Sequence, residues 1–541
     1  MRKVAQYISL MKQIFNKVIG SDNRNILIIK VLFLLIILQV VSGAVLGLFQ
    51  EIIPIHEWRK ADSLVFALNY VESNQFFQPH TNFILPNGNT NAAAEFPLIY
   101  FLIGKIWYFF GYDIFLAKSF SLTLLFTGLV HFALLINDFL KSHWKTLTLV
   151  FLIYTSPILV TYSDSCLPNI SSFSFLLMSS YYLRKYWVTS SRRMLLIFTI
   201  CLSLTLLFKI TSLMAVATCV MGFLTYIWLN RSDWNLNKLR VFYLFLSFSM
   251  ALIFAMCWYM YAIRYNNAYG SNIFSTTIKP YWDFTPEQRS LVWEAIWKKQ
   301  LPMYHHSLLL ILSISGYLYL SVRGKITPII HVMMATGLFA MVAYFILWFC
   351  VFDVHDYYLI EILFLGIILF YVLIKELVPT NPSGLIRGLI ALFLVVVCMK
   401  SSVLISACFG INHTTSTFSS YVVKKELLDD KAYFHWFHEN HLLQLQKSAP
   451  QLDRVLDKND RVLCLSDDSP NIHLFTIKRK GFTGMRIDPS NRTGSINACI
   501  KQGATHLLIL GRDKWDDTIA QFAKNRLYKF NNVELFSLVP R

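Results

Sequence analysis

Five ionisable side chains fall within seven residues directly after the first long apolar run of the chain: His56, Glu57, Arg59, Lys60 and Asp62. Charges beside hydrocarbon are costly, and in membrane proteins they more often mark a functional site than a structural one. A carboxylate can act as general base towards a hydroxyl, and Arg or Lys can hold a phosphate where water is scarce. The stretch therefore predicts a functional site at the membrane surface.

The spacing of this stretch predicts an amphipathic helix that lies in the plane of the membrane interface. Its apolar face consists of residues at helical intervals, namely Trp58, Ala61, Leu64, Val65 and Leu68. Arg59 and Asp62 are three residues apart, so they share one face and can contact a lipid phosphate and a hydroxyl together. The same spacing equally fits an ordinary ion pair on a solvated helix face, and both interpretations stay open.

The composition is that of a polytopic integral membrane protein. Of the 541 residues, 55% are hydrophobic and only 15% are charged, and the mean hydropathy is +0.49. Apolar runs of roughly 20 residues, long enough to cross a hydrocarbon core, recur along most of the chain. The net charge of +18 comes mostly from short loops, as the positive-inside rule expects, so nucleic acid is not a predicted partner.

About eleven transmembrane helices are predicted. They fall near residues 26–48, 115–138, 145–163, 169–187, 194–210, 212–230, 241–263, 306–322, 328–350, 357–375 and 387–409. Basic residues before the first span place the N-terminus in the cytoplasm, and an odd number of spans then places the C-terminus outside. The run after Glu95 is short for a span and predicts a second interfacial helix.

Three regions follow from this count: a cytoplasmic segment (1–25), a transmembrane domain (26–410) with a long first extracytoplasmic loop (50–112), and an extracytoplasmic domain (411–541). In the last region, "DRVLCLSD" and "THLLILG" have the pattern of short buried strands, with helical stretches between and around them. This pattern predicts a small α/β domain.

The order of motifs resembles a known family. The motifs are "W-R-x-A-D" and "EFP" in the first loop, a helix that ends in "K-x-x-Y-F-F-G", then "YSDSCLPNIS", "LLFKITS" and "FDVHDYYLIEILFLG". Together they resemble the membrane glycosyltransferases of the GT-C type. More narrowly, they are similar to the protein mannosyltransferase and aminoarabinose-lipid A transferase group, whose members take sugars from polyprenyl phosphates. The resemblance implies a GT-C-like fold over roughly residues 25–410.

The resemblance also implies roles for particular residues. The candidates for the general base are, in order, Asp62, Glu57 and Asp164. The candidates for donor phosphate binding are Arg59, Lys105, Lys209, His355 and Tyr358, and those for substrate binding are Glu95, Asn169 and Tyr357. Two structural alternatives stay open, because Lys209 also fits a lysine that reaches to the interface and His355 also fits an aromatic belt.

The chain departs from the family pattern at both acidic positions. Members carry an acidic pair at the start of the first-loop helix, and these positions are His56 and Glu57 here. They usually carry an acid after the proline at a later span end, which is Asn169 here, with Asp164 five residues earlier. Some members use a divalent metal ion beside the first-loop acids, so His56, Glu57 and Glu95 are candidate metal ligands.

The resemblance thus implies a hexosyl- or pentosyltransferase in the inner membrane of a bacterium, which passes a sugar from a polyprenyl-phosphate donor to a lipid, polysaccharide or protein on the extracytoplasmic face. One alternative is a transporter or flippase of a lipid-linked glycan, and another is an O-antigen ligase or polymerase. Transporters often have repeated halves and polar groups near the bilayer midplane. This sequence shows no repeat and has its charge clusters at the outer rim, which favours the enzyme.

Overall fold

The computed structural model describes residues 23–52, 55–231, 234–274, 278–379, 383–410, 422–511 and 515–538. The predicted cytoplasmic segment falls almost wholly outside these ranges, and so does the predicted start of the C-terminal domain at residue 411. Within them, the chain forms a long helical part followed by a small sheet with its own helices.

The helical part consists mainly of apolar α-helices. In chain order they are α1 (Asn23–Val41), α2 (Glu57–Asn69), α3 (Leu98–Phe110), α4 (Ile114–Leu140), α5 (His143–Tyr154), α6 (Pro157–Tyr162), α7 (Pro168–Thr189), α8 (Arg192–Phe208), α9 (Leu213–Leu229), α10 (Trp234–Ala268), α11 (Pro286–Ala295), α12 (Leu301–Tyr304), α13 (Ser307–Val322), α14 (Pro328–Leu347), α15 (Leu363–Leu377) and α16 (Gly384–Phe409). Short 3₁₀ or π segments lie between some of them, at Ala44–Phe49, Ile210–Ser212, Tyr281–Asp283, Ile296–Gln300, Phe349–Phe352 and Asp356–Ile362.

Seven helical segments in the described ranges are long and apolar enough to cross a membrane. An eighth results if Pro286–Tyr304 and Ser307–Val322, which meet at 86°, count as one bent span. The chain is therefore a polytopic helical membrane protein, as predicted, but the count of eleven is not confirmed. The predicted span 145–163 is divided by a turn into α5 and α6, and α8 has only 17 residues.

Two packed helices, α2 and α3, form the core of the first loop. Gly104 lets α3 come close to α2, because a Cβ at this position would lie 2.6 Å from the carbonyl oxygen of Ala67. Every residue from Lys60 to Ala67 is buried, so protein covers both faces of this part of α2, whereas Trp58 in the first turn is 44% exposed. This excludes the solvated ion pair that the spacing of Arg59 and Asp62 allowed, and Asp62 is only 3% exposed.

The C-terminal domain is a five-stranded sheet with the strand order β2-β1-β3-β5-β4. The strands are β1 (Arg461–Cys464), β2 (Gly481–Thr483), β3 (Ala504–Leu510), β4 (Ala523–Phe530) and β5 (Val533–Leu538). Strand β1 runs parallel to β2 and β3, whereas β5 runs antiparallel to β3 and β4. The helices of this domain are α17 (Lys425–Asn440), α18 (Leu442–Val455), α19 (Ile472–Thr476), α20 (Arg492–Lys501) and α21 (Asp517–Ala520). The predicted small α/β domain is confirmed.

The first loop adds to the edge of this sheet. Phe83 pairs in parallel with Gly481 of the edge strand β2. The N–H of Ile84 donates to Gly481 O at 2.7 Å, and the N–H of Gly481 donates to Asn82 O at 2.9 Å. A Cβ at Gly481 would lie 2.0 Å from Val462 O, so only glycine permits this close approach. Backbone pairing of an edge strand therefore fixes the C-terminal domain to the loop that carries α2.

Candidate active site

Two cations and one carboxylate, Arg59, Lys209 and Glu95, form a buried group that we call the basic cluster. Arg59, in the first turn of α2, donates from Nη2 to both carboxylate oxygens of Glu95, at 2.7 and 2.6 Å. Lys209 follows α8, and its Nζ lies 3.6 Å from Glu95 Oε1. The three side chains are at most 14% exposed. Two positive charges and one negative charge leave the cluster at +1, so it can bind an anion.

Glu95 is ionised within the basic cluster. Burial alone would raise the pKa of Glu95, but the positive charges of Arg59 and Lys209 outweigh burial and hold this pKa below its ordinary value. The ammonium of Lys209 also lies 4.6 Å from the ring centroid of Tyr358, which is within the range of a cation–π contact. A lysine whose side chain only extends to the membrane interface would not need these contacts with Glu95 and Tyr358, so that simpler explanation does not account for Lys209.

A 3₁₀ segment between α14 and α15 brings a group of aromatic rings to the basic cluster. The ring of Tyr358 contacts the ammonium of Lys209. The buried Tyr357 packs edge-on against His56, with their ring centroids 5.2 Å apart. The ring of His355 lies 5.4 Å from that of His56, and its buried Nδ1 has no hydrogen-bond partner among the described residues. The structure thus places the predicted residues of this segment together with those of the first loop.

Asn169 lies near the same site, where it contacts an acid that was not predicted. Its Nδ2 donates to Oε1 of Glu361 at 2.7 Å, and both side chains are buried. The second oxygen of Glu361 is buried without a hydrogen-bond partner in the described part of the chain. An acid inside a strongly apolar run is itself a sign of function, and this signal in "YYLIEILF" could have identified Glu361 from the sequence.

Asp62, the first predicted base, lies at the junction between α2 and the C-terminal domain. Its Oδ1 accepts a hydrogen bond from Asn471 Nδ2 at 2.8 Å, and Asn471 Oδ1 accepts one from Thr81 Oγ1 at 3.0 Å. Burial raises the pKa of Asp62 to about 7, although Arg59 and Asn471 act in the opposite direction. A carboxyl group with this pKa can exchange a proton near neutrality.

The two other predicted bases also have partners. Glu57 Oε1 accepts a hydrogen bond from His438 Nδ1 of the C-terminal domain. Asp164 lies 3.6 Å from Lys118 Nζ and is 1% exposed, and it borders a small cavity beside Lys60 rather than the basic cluster. The three predicted acids therefore lie in three different surroundings.

Lys105, predicted to bind the donor phosphate, is engaged elsewhere. Its Nζ donates to the backbone carbonyls of Tyr70 and Ser73, at 2.9 Å each, just beyond the C-terminal end of α2. Arg59 is near the other end of this helix, and at 1.5 Å per residue the distance along the axis to Tyr70 is about 16 Å. The structure does not bring Lys105 to the basic cluster.

His56 immediately precedes α2 and makes a contact that the sequence did not reveal. Its Nε2 lies 3.1 Å from Oδ1 of Asp356, and the hydroxyl of Tyr162 donates to the same oxygen. Asp356 is 3% exposed. The two segments that meet here are 300 residues apart in the chain, so no local pattern could have paired them.

The candidate metal ligands do not converge on one point. His56 is bound to Asp356, Glu57 to His438, and Glu95 to Arg59. No group of three or more His, Cys, Asp or Glu side chains with metal-binding geometry occurs in the described ranges. A divalent ion needs several oxygen or nitrogen ligands within about 2.0–2.6 Å, so the residues do not fit a metal in this arrangement.

Comparison with solved structures shows which fold this arrangement belongs to. ArnT from Cupriavidus metallidurans in the apo state matches with a TM-score of 0.54 and 12% identity over 94% of this chain and 98% of that chain. The structure of the same protein bound to undecaprenyl phosphate matches with a TM-score of 0.55 and 11% identity over the same shares. The chain shares the ArnT fold.

This match confirms the GT-C-like fold that the motifs predicted. At 11–12% identity it shows the fold alone, because one fold can carry many different chemistries. No family model matches the chain. No curated protein matches its sequence either.

Proposed function

We propose that this protein transfers a sugar from a polyprenyl-phosphate donor to an acceptor hydroxyl on the extracytoplasmic face of the membrane. The observation that carries the proposal is the buried basic cluster, which joins Arg59 and Lys209 to one carboxylate and retains a positive charge. Support comes from the shared fold, since one of the matching ArnT structures is bound to undecaprenyl phosphate.

The basic cluster would act on the leaving group. As the bond between the anomeric carbon and the phosphate oxygen breaks, negative charge develops on the phosphate, and Arg59 and Lys209 stabilise it. Glu95 keeps both cations in place, and its charge also favours positive charge on the sugar ring. The acceptor oxygen then bonds to the anomeric carbon in one displacement with inversion, and its proton passes to a general base.

Asp62 and Glu57, the predicted general bases, each accept a hydrogen bond from the C-terminal domain, from Asn471 and His438 respectively. Either carboxylate would have to exchange this partner for the acceptor hydroxyl before it could take the proton. Asp164, the third candidate, pairs with Lys118 and lines a small cavity that does not include Arg59, Lys209 or Glu95.

The narrower resemblance supports a hexosyl or pentosyl group as the sugar, and a lipid, a polysaccharide or a protein as the acceptor. The C-terminal domain contacts α2 and the loop beside it. We propose that it contributes to the choice of acceptor, because it lies against the helix that carries Arg59.

The test is sugar transfer from labelled polyprenyl-phosphate sugars by the purified protein in membranes that contain candidate acceptors. Arg59→Gln and Lys209→Gln should each raise the KM for the donor about 10- to 100-fold, since a hydrogen bond to a charged group contributes about 1.5–3 kcal/mol. Lys298→Gln is the matched control, because this side chain is 70% exposed and pairs with its helix neighbour Glu294.

Two outcomes would contradict the proposal. If the parent protein releases no sugar from any lipid-linked donor, the proposal that it is a transferase is wrong. If a lipid-linked glycan instead moves to the other leaflet with its phosphate bond intact, the transporter is the better assignment.

A further inference from the structure

The contact between His56 and Asp356 fixes which nitrogen of His56 can accept a proton. An ionised carboxylate only accepts hydrogen bonds, so the Nε2 that lies 3.1 Å from Asp356 Oδ1 must carry the proton. The lone pair of the neutral imidazole is then on Nδ1. The hydroxyl of Tyr162 donates to the same oxygen of Asp356 and thereby holds the carboxylate in position. A histidine oriented in this way by a buried acid is the arrangement of a general base.

The Nδ1 atom of His56 is available for a substrate. No hydrogen bond joins it to any residue in the described part of the chain, and the His56 side chain is 13% exposed. The residue borders a small cavity that is also lined by the exposed side chains of Lys299 and Asp353. An acceptor hydroxyl can therefore approach this imidazole without displacing a protein partner.

His56 also lies next to the proposed donor site. Its ring contacts those of Tyr357 and His355, and the next residue along this segment, Tyr358, contacts Lys209 of the basic cluster. The imidazole thus lies between the group that would hold the donor phosphate and the cavity from which an acceptor can enter. By contrast, Asp62 and Glu57 already accept hydrogen bonds from the C-terminal domain.

The backbone at His56 provides a further reason. Its φ and ψ angles are 54° and 44°, in the left-handed region that glycine and asparagine adopt most readily. An imidazole at this position costs conformational energy, and strained residues of this kind cluster at functional sites. With this backbone conformation, the side chain at the start of α2 contacts Asp356, 300 residues further along the chain.

We propose that His56 is the general base of the transfer reaction, with Asp356 and Tyr162 as positioning residues. This inference rests on the proposed function. The proton of the acceptor hydroxyl passes to Nδ1, the acceptor oxygen bonds to the anomeric carbon, and the bond from that carbon to the phosphate oxygen breaks with its electron pair on the phosphate. Asp356 stabilises the imidazolium that forms, and the proton is later lost to water.

Two substitutions of His56 remove the imidazole and introduce residues that readily adopt its left-handed backbone conformation. His56→Asn and His56→Gly should each lower kcat about 10²- to 10⁴-fold while the KM for the donor stays within threefold, because neither change touches the basic cluster. Imidazole added to the buffer should restore transfer by His56→Gly. Substituted imidazoles should restore it in the order of their basicity, an effect that a purely structural role would not produce. His131→Asn, a histidine bound to Thr127 O and Tyr182, is the matched control and should keep the parent rate.

Asp356→Asn tests the positioning role separately. In the parent background it should lower kcat by a factor similar to that of the His56 variants, because an amide can donate to Nε2 and stabilise the wrong tautomer. In the His56→Gly background it should have no further effect on the rate without added imidazole, since Asp356 acts through His56. An equal loss in both backgrounds would show that Asp356 is merely structural.

The outcomes separate this inference from the proposed function. If the parent transfers sugar and both His56 variants keep a rate within fivefold of it, His56 is not the base and the transferase stands. A loss of activity that no imidazole restores, together with full activity of Asp356→Asn, would also overturn the inference. If the parent itself shows no transfer, it is the proposed function that fails.

Discussion

Replacing Asp62 with asparagine should stabilise the protein more at alkaline than at acidic pH. Burial raises the pKa of this carboxyl from an ordinary value of 3.8 to about 7 in the folded state. Between pH 4 and 7 the folded state therefore binds more protons than the unfolded state, and the free energy of unfolding falls as the pH rises. Over about three pH units, at 1.36 kcal/mol per unit, the loss reaches about 4 kcal/mol. Asparagine keeps the hydrogen bond from Asn471 and cannot ionise, so its advantage should appear as the pH passes through this window.

Thermal unfolding of the detergent-solubilised protein at pH 5, 6, 7 and 8 measures this effect. We expect the difference in Tm between Asp62→Asn and the parent to grow steadily up to pH 7 and then to level off. Asp429→Asn, a change at an exposed position of α17, should show no such trend. A Tm difference for Asp62→Asn that does not vary with pH would refute the reasoning, because the buried carboxyl would then titrate as it does in the unfolded chain.

Two further substitutions test groups whose surroundings are equally well defined. Lys60 is 3% exposed with no hydrogen-bond partner for Nζ in the described ranges, and burial lowers its pKa to about 7. Lys60→Met should therefore raise the free energy of unfolding at pH 7 by up to about 5 kcal/mol, and thermal unfolding should show this gain shrinking as the pH rises towards 10.5. Lys105→Met should lower the Tm, because two carbonyls at the end of α2 lose their donor, but should leave the KM for the donor lipid unchanged in the transfer assay. A rise in this KM comparable to that of Arg59→Gln would instead show that Lys105 belongs to the proposed donor-phosphate site.

The sequence predicted the helical class, and it identified most of the side chains that the structure brings together around the basic cluster, because both depend on local signals. Apolar runs identify membrane helices without reference to tertiary contacts. Charges at the start of α2 and Lys209 at a span end are likewise visible as exceptions to an apolar background. The turn that divides α5 from α6 has no such signal, because the polar Thr155 and Ser156 and the following Pro157 interrupt an otherwise apolar run only briefly.

What could not be predicted was which side chains would meet. Arg59 has Asp62 three residues away on its own helix, yet it pairs with Glu95, 36 residues further along. Asp62 and Glu95 could both pair with the guanidinium of Arg59. In the folded chain Asp62 is instead hydrogen-bonded to Asn471, and Arg59 pairs with Glu95. The contact of Asp356 could not be predicted from the sequence either, because its partner, His56, lies 300 residues earlier.

The C-terminal domain shows the same limit on a larger scale. Its strands were predictable from short apolar runs, but its attachment to the first loop depends on backbone pairing at Gly481 and on side chains from two separate helices or loops. Asn471 contacts Asp62 and His438 contacts Glu57, so the domain holds two successive turns of α2. A domain attached in this way can affect the site without contributing a catalytic group.

Removal of residues 411–541 should therefore weaken donor binding and not only alter the choice of acceptor. The truncation frees one side of α2, and the guanidinium of Arg59 then loses the fixed orientation that its two contacts with Glu95 require. Loss of one well-placed hydrogen bond to a charge corresponds to a fall in affinity of about tenfold or more. Binding of undecaprenyl phosphate to the purified full-length and truncated chains measures this directly, with Asn471→Leu as a milder version of the same change. Equal affinity in the full-length and truncated chains would contradict a positioning role, and would restrict the domain to contacts with the acceptor.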